Sequence, residues 1–292
     1  MKYKRSYWPY YLAAVTCALF LLVLSNVRVD GALQTTDQAI YRHLQLIRTP
    51  QLDAILITIT QMGDTFMVTA IASVVAFCLL LRKCWRTAIY WSLTLVSAAV
   101  LNTAIKGSIV RVRPGDMMYS GWTTYSFPSG HTTGNLVLYG LTCILLYRSL
   151  RGWPRIATIV GAIGFALLVA FSRLYLGAHW FSDVLGGALV ATGILCIAGA
   201  RYHAGTIHPL SPAQILVPIV ATMVIAGSWH VYHDRHIDRE RYIPRTGFHA
   251  TVRHDHDISM QLSVPQSPAP DVILGLPGTA GIAAEMRRRN RS

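Results

Sequence analysis

Charge is scarce in this sequence: Asp, Glu, Lys and Arg make up 13% of its 292 residues, about half the share of a typical soluble domain. That scarcity, with 53% hydrophobic residues and a mean hydropathy of +0.40, excludes an ordinary soluble fold and points to a polytopic membrane protein. Acidic residues are scarcer still, 13 against 26 Lys and Arg, for a formal net charge of +13. Such a surplus could serve nucleic acid, but the cations are scattered between apolar runs without a basic stripe or stacking aromatics, so no nucleic-acid partner is expected. Cysteine is sparse as well. The five (Cys17, Cys78, Cys84, Cys143 and Cys196) lie mostly within apolar runs, lack metal-ligand spacing, and imply no disulfide framework.

What the chain does have is long hydrophobic runs. The first, about 8–27, follows Lys2, Lys4 and Arg5 and has no convincing small-residue cleavage site behind it, so it is expected to be a retained helix. Further spans are expected near 64–81, 87–105, 132–147, 156–172 and 183–200, each close to the length that crosses a bilayer. A seventh is expected at 213–231, where Pro218 would kink it. The predicted fold class is therefore all-α: a polytopic bundle with a six-helix core over 1–205, an added span within 206–232, and a polar, largely disordered tail over 233–292. That tail begins near a run of His230, His233 and His236. This set could bind a transition metal, but no cysteines accompany it, and it is read as a polar linker with no metal site.

Loop charge orients the spans. Lys2, Lys4, Arg5, Arg82, Lys83, Arg86, Arg148, Arg151, Arg155 and Arg201 fall on one side, which should be the cytoplasm. The other side receives residues 28–63, where Arg28, Arg42 and Arg48 are balanced by Asp30, Asp37 and Asp53, and the connections after the third and fifth spans. Three polar clusters fall on that outer side.

Lys106 and Arg113 stand seven residues apart, so a third helix extended outward would carry both on one face before Pro114 stops it. Arg111 between them reads as an interfacial anchor. Pro128-Ser129-Gly130-His131 precedes the fourth span, and puts unpaired amides at a helix N-terminus, where an anion is favoured. Ser129 adds a hydroxyl, Gly130 permits close approach, and His131 can give a proton to a leaving oxygen. His179 and Asp183 are spaced i, i+4, so on a helix the carboxylate can hold one ring nitrogen and leave the other as a nucleophile. Arg173, near the outer end of the fifth span, offers a bidentate fork to phosphate oxygens. Each cluster alone also has a bland reading: snorkelling anchors, a capped helix start, a surface ion pair.

Taken together, Lys106-x6-Arg113-Pro114, Pro128-Ser129-Gly130-His131 and Ser172-Arg173-x5-His179-x3-Asp183 resemble the three-part signature of the type 2 phosphatidic acid phosphatase (PAP2) superfamily, over roughly residues 55–200. The resemblance implies a metal-independent membrane lipid phosphatase with no cofactor and a phosphohistidine intermediate. His179 would be the nucleophile, Asp183 its orienting carboxylate and His131 the acid for the leaving group. Lys106, Arg113, Arg173, Ser129 and Gly130 would bind the phosphate. The substrate implied is a lipid phosphate in the bilayer: undecaprenyl diphosphate, phosphatidylglycerol phosphate or phosphatidic acid. The enzyme would sit in the inner membrane with its site facing the periplasm or exterior. Tyr119, Trp122, Tyr125 and Phe127 would flank the entrance as an aromatic belt. Two other classes also place charge in apolar helices or share the motifs. A transporter or channel would favour midplane charges and broken helices, and a vanadium haloperoxidase of the same superfamily would not need continuous spans. Oligomeric state is not encoded in any of these features.

Overall fold

The structure, a computed structural model, describes residues 7–29, 31–114, 125–204 and 210–242. All lie within one compact unit spanning 1–246; a second unit, Gly247–Ser292, falls outside the described residues. Among the described residues there are nine helices and no strand: α1 (Trp8–Arg28), α2 (Ala32–Leu46), α3 (Pro50–Met62), α4 (Thr65–Leu81), α5 (Trp85–Ser108), α6 (Gly130–Leu146), α7 (Trp153–Tyr175), α8 (Phe181–Ala204) and α9 (Pro212–Arg241). The expected all-α membrane bundle is the fold observed.

Six stretches are long and apolar enough to cross a membrane: Trp8–Arg28, Pro50–Leu81, Trp85–Ser108, Trp153–Tyr175, Phe181–Tyr202 and Pro212–Asp234. Their outward faces carry large apolar side chains, among them Leu22, Phe77, Leu93, Val100, Val160 and Ile225. A belt of this kind is tolerable only where lipid tails cover it. α6 is shorter, 17 residues or about 25 Å of helix, and it occupies the centre, packed on α4, α5, α7 and α8. Its core-facing Leu138, Leu141 and Leu145 meet a stripe on α4 with a spacing of four, Met67, Ile71, Val75 and Leu79, all essentially inaccessible. Trp91 of α5 fills the same layer and donates its indole N–H to the Ala72 carbonyl at 3.0 Å. Because lipid is as apolar as leucine, this packing holds the helices together through close contact and not through release of water.

Helix starts follow local chemistry. Thr49 caps α3 with Pro50 behind it, the Asp64 carboxylate accepts from the Met67 amide at 2.9 Å to cap α4, and the Gln214 side chain accepts from the Ser211 amide at 2.8 Å where α9 begins with Pro212.

Two expectations are corrected here. Residues 28–63, read as an outer connection, contain α2 and α3. The helix of the added span does not end near 232, where the disordered tail was expected to start; α9 runs to Arg241. The reason is pairing. His230 lies between Asp64 at 2.7 Å and Asp234 at 3.0 Å, and Asp238 accepts from Gln61 at 2.8 Å, so the polar residues that looked like a tail are bonded to the α3–α4 corner. His233 stacks on Trp229, with ring centroids 5.2 Å apart. The remainder of the expected tail, from 243 on, lies outside the described residues.

Candidate active site

α7 ends in a turn that delivers the third cluster. Gly177 has φ +70°, the left-handed conformation that glycine adopts without cost. Its amide bonds to the Leu174 carbonyl at 3.0 Å and the Ala178 amide to the Arg173 carbonyl at 2.9 Å, the paired bonds of a Schellman cap. The chain thereby reverses at once, and His179 lies in the link beside Arg173 before α8 opens at Phe181. His179 and Asp183 do meet, but not on one helix face as expected: the histidine precedes the helix and the aspartate sits in its first turn.

His179 Nδ1 lies 3.3 Å from Asp183 Oδ2, and its Nε2 lies 3.0 Å from Arg113 Nη1. A guanidinium can only donate, so Nε2 must accept; the ring proton is on Nδ1 and points to the carboxylate. The ring is 3% exposed. Burial, then the charges of Arg113, Arg173, Lys106 and His131, hold its basicity well below the usual imidazole range. The ring is thus held neutral with a lone pair on Nε2 among cations, an arrangement whose chemistry suits attack on an anionic centre.

The cations arrive by different routes. Lys106 sits in the last turn of α5, within electrostatic reach of Arg113, Asp183 and Arg173. The expectation that α5 continues to Arg113 is corrected: it stops at Ser108, and Ile109 is extended at φ −120°, ψ 92°. Val110 and Val112 are β-branched, and Arg113 precedes proline, which together favour extended backbone over helix. Arg113 is pinned to the Ala178 carbonyl at 2.6 Å and reaches the Tyr125 carbonyl at 3.4 Å. Arg173, 1% exposed, donates Nη1 to Thr60 Oγ1 at 2.8 Å and to the Tyr242 hydroxyl at 2.6 Å.

The second cluster closes the other side. Ser129 caps α6, its Oγ accepting from the Thr132 amide at 3.4 Å and the Thr132 hydroxyl at 3.0 Å. Its own amide donates to the Asp183 carbonyl at 3.0 Å, a direct main-chain link between two of the clusters. That approach requires glycine on α8: a Cβ at Gly187 would lie 2.8 Å from the Ser129 carbonyl oxygen, and one at Gly186 would lie 2.7 Å from the Phe127 ring. At Gly130 a Cβ would meet only Asn102 Oδ1, at an ordinary 3.4 Å. His131 follows in the first turn of α6, and the charges that act on it are those of Arg173, Arg113, Lys106 and Arg241. Among the described residues, no group of three or more His, Cys, Asp or Glu side chains is placed to hold a metal ion.

Two readings fail at this level. Arg111 is no interfacial anchor. Its Nη1 lies 2.6 Å from Asp183 Oδ1 and its Nη2 lies 2.7 Å from Asp37 Oδ2, with both carboxylates buried. Asp37 also accepts from the Ser182 amide at 2.8 Å. The available signal was period two: in an extended Arg-Val-Arg segment residues i and i+2 share one face, so Arg111 and Arg113 both reach the same pair, Arg113 at the His179 ring and Arg111 at its carboxylate. Phe127 is no belt residue either. It is fully buried against Phe20, centroids 5.7 Å apart, and under Gly186. Tyr125 is half-buried, and Tyr119 and Trp122 lie outside the described residues.

An apolar helical bundle that gathers a buried histidine, its carboxylate and a group of cations at one end has the composition of a membrane site for an anion, and the comparisons give its class. The sequence model of the PAP2 superfamily matches residues 88–204. The chain is 33% identical to phosphatidylglycerophosphatase B of Bacillus subtilis over 59% of its own length and 86% of that protein. It is 25% identical to the undecaprenyl-diphosphatase of Sulfolobus acidocaldarius over 65% of its length and 88% of that protein. It also resembles the crystal structure of the first transmembrane PAP2-type phosphatidylglycerolphosphate phosphatase from Bacillus subtilis, with a TM-score of 0.55, 28% identity, and coverage of 64% of this chain and 94% of that one. The chain belongs to the PAP2 superfamily. It is a hydrolase of the membrane lipid phosphatase class.

Proposed function

We propose that this protein removes phosphate from a lipid phosphate or diphosphate through a phosphohistidine on His179, at the outer face of the membrane. The carrying observation is the state of that ring: Nδ1–H on Asp183 and an accepting Nε2 facing Arg113. Nε2 attacks phosphorus and the bond from phosphorus to the leaving oxygen breaks, with a proton passing from protonated His131 to that oxygen; water then gives a proton back to His131 as its oxygen attacks phosphorus, the N–P bond breaks, and phosphate and both histidines are released. Arg113 transfers its donor from Nε2 to a phosphate oxygen as the substrate enters. Lys106 and Arg173 complete the charge, and Ser129 and the Gly130 amide supply neutral donors at the start of α6. Among the described residues a Cβ at 130 would meet only Asn102 Oδ1, and close approach of the phosphate is the reason we assign to the glycine.

Sidedness rests on the Lys and Arg asymmetry of the connections. An outward site favours a carrier lipid diphosphate, and the relatives named for undecaprenyl diphosphate and phosphatidylglycerol phosphate make those two the first substrates to try. Purified protein should release phosphate from a panel of both lipids and phosphatidic acid, with chelators present. On brief turnover it should carry an acid-labile, base-stable phosphoryl group that His179→Ala lacks. Release that depends on added metal, or a labelled His179→Ala protein, would overturn the proposal.

A further inference from the structure

Helix α9 lies outside the residues matched by the family, 88–204, yet its end reaches the site. Tyr242 is 4% exposed and packs with Leu44, Leu56, Ile57, Tyr175 and Leu176. Its hydroxyl accepts from Arg173 Nη1 at 2.6 Å, and its ring centroid lies 5.5 Å from the guanidinium carbon. The same Nη1 donates to Thr60 Oγ1 at 2.8 Å. Both hydrogens of that nitrogen are thus held by hydroxyls from α3 and from the end of α9, and two fixed donors set the plane of a rigid guanidinium.

Tyr242 is itself held. Its carbonyl accepts from Arg48 Nη2 at 2.6 Å, and Arg48 is fixed by Asp53 at 2.9 and 3.0 Å. One turn back, Asp238 accepts from Gln61 at 2.8 Å and from Arg241 at 2.5 Å. Membrane crossing does not require this polar clamp, because the apolar part of α9 ends at Asp234, before it. A clamp that ends on a buried arginine of the phosphate site has a use in binding.

We infer that Tyr242 is a positioning residue: through its hydroxyl, the end of α9 orients Arg173 toward the phosphoryl group. The inference rests on the reading of Arg173 as a phosphate ligand. Full-length Tyr242→Phe keeps the ring and its packing and loses the hydroxyl. It should lower kcat/KM for the lipid about tenfold and weaken inhibition by orthovanadate by a similar factor, since that small anion reports only on the phosphate pocket. In an Arg173→Lys background the same change should cost less than about twofold, as coupled residues require. If Tyr242→Phe does not fold in detergent, Arg48→Gln, which releases the Tyr242 carbonyl together with the Asp53 and Gln45 side chains, should weaken orthovanadate in the same direction. Unchanged orthovanadate inhibition in a folded variant, or an equal loss in the Arg173→Lys background, overturns the inference. Should Arg173→Ala retain near-normal turnover, the reading of the site fails instead. If Arg173→Ala is inactive and Tyr242→Phe is not weakened, only the role of α9 falls.

Discussion

Replacing Arg111 with methionine tests the part of the site that lies behind the nucleophile. In the structure Arg111 is the counter-charge of two buried carboxylates, 2.6 Å from Asp183 and 2.7 Å from Asp37, with the arginine side chain 15% exposed. Removing one partner of a buried ion pair typically costs about 3–5 kcal/mol, because a charge is left uncompensated in a medium of low dielectric. The protein can meet that cost in two ways. If Asp183 stays ionised, the fold carries the loss, and the melting temperature should fall by roughly 6–12 °C for a chain of this size. If Asp183 takes up a proton, the fold is spared, but His179 loses the anion that holds Nδ1–H; 3 kcal/mol at about 1.4 kcal/mol per decade is then about a hundredfold in kcat/KM. Adding Asp37→Asn should recover part of the stability, since one of the two facing carboxylates is gone. Melting in detergent and phosphate release from one lipid substrate measure both routes on the same preparation. An Arg111→Met protein that melts within about 2 °C of wild type and turns over within about threefold of it would refute the pairing.

Other expectations are shorter to state. His179→Ala and His131→Ala should each remove nearly all phosphate release, while Asp183→Asn should leave a folded protein slower by about 10⁴-fold, the scale seen when a carboxylate that orients a catalytic histidine is neutralised; near-normal turnover in His179→Ala would end the phosphohistidine mechanism. Because burial and neighbouring cations lower the basicity of His179, its ring should stay neutral to pH values below the usual imidazole range, and Arg113→Gln, by removing a repelling charge, should raise its titration point. Nitrogen NMR of the labelled histidine reads this directly, and a downward shift would contradict the electrostatics. A single cysteine at Thr36, on the exposed face of α2, should react with an impermeant thiol reagent in intact cells, and one at Arg151 should not. The reverse pattern would place the site in the cytoplasm.

How much of this was legible in advance differs from residue to residue. The all-α bundle and its added span could be read from apolar runs, since a bilayer demands about twenty such residues per crossing and leaves a mark on the sequence itself. The three clusters could be read because rare charges in apolar context stand out, and because Ser129 marks a helix start by local chemistry. Lys106 and Arg113 do come within electrostatic reach of each other, but not by seven-residue helical spacing. β-Branched and pre-proline residues end the helix at Ser108, before Arg113 is reached.

Sequence alone thus determined what depends on composition and on near neighbours: an all-α chain with apolar segments long enough for a membrane, and its membrane lipid phosphatase class. The tertiary structure decided the contacts between residues far apart in the chain. Asp37 and Arg111 are 74 positions apart, and Arg173 and Tyr242 are 69 apart. A lone arginine beside an apolar run reads as an anchor in the interface, and a tyrosine at the edge of a polar tail reads as solvent-facing. What makes each part of the site is a partner delivered by another helix, and burial then leaves a charge or hydroxyl no water to bond with instead.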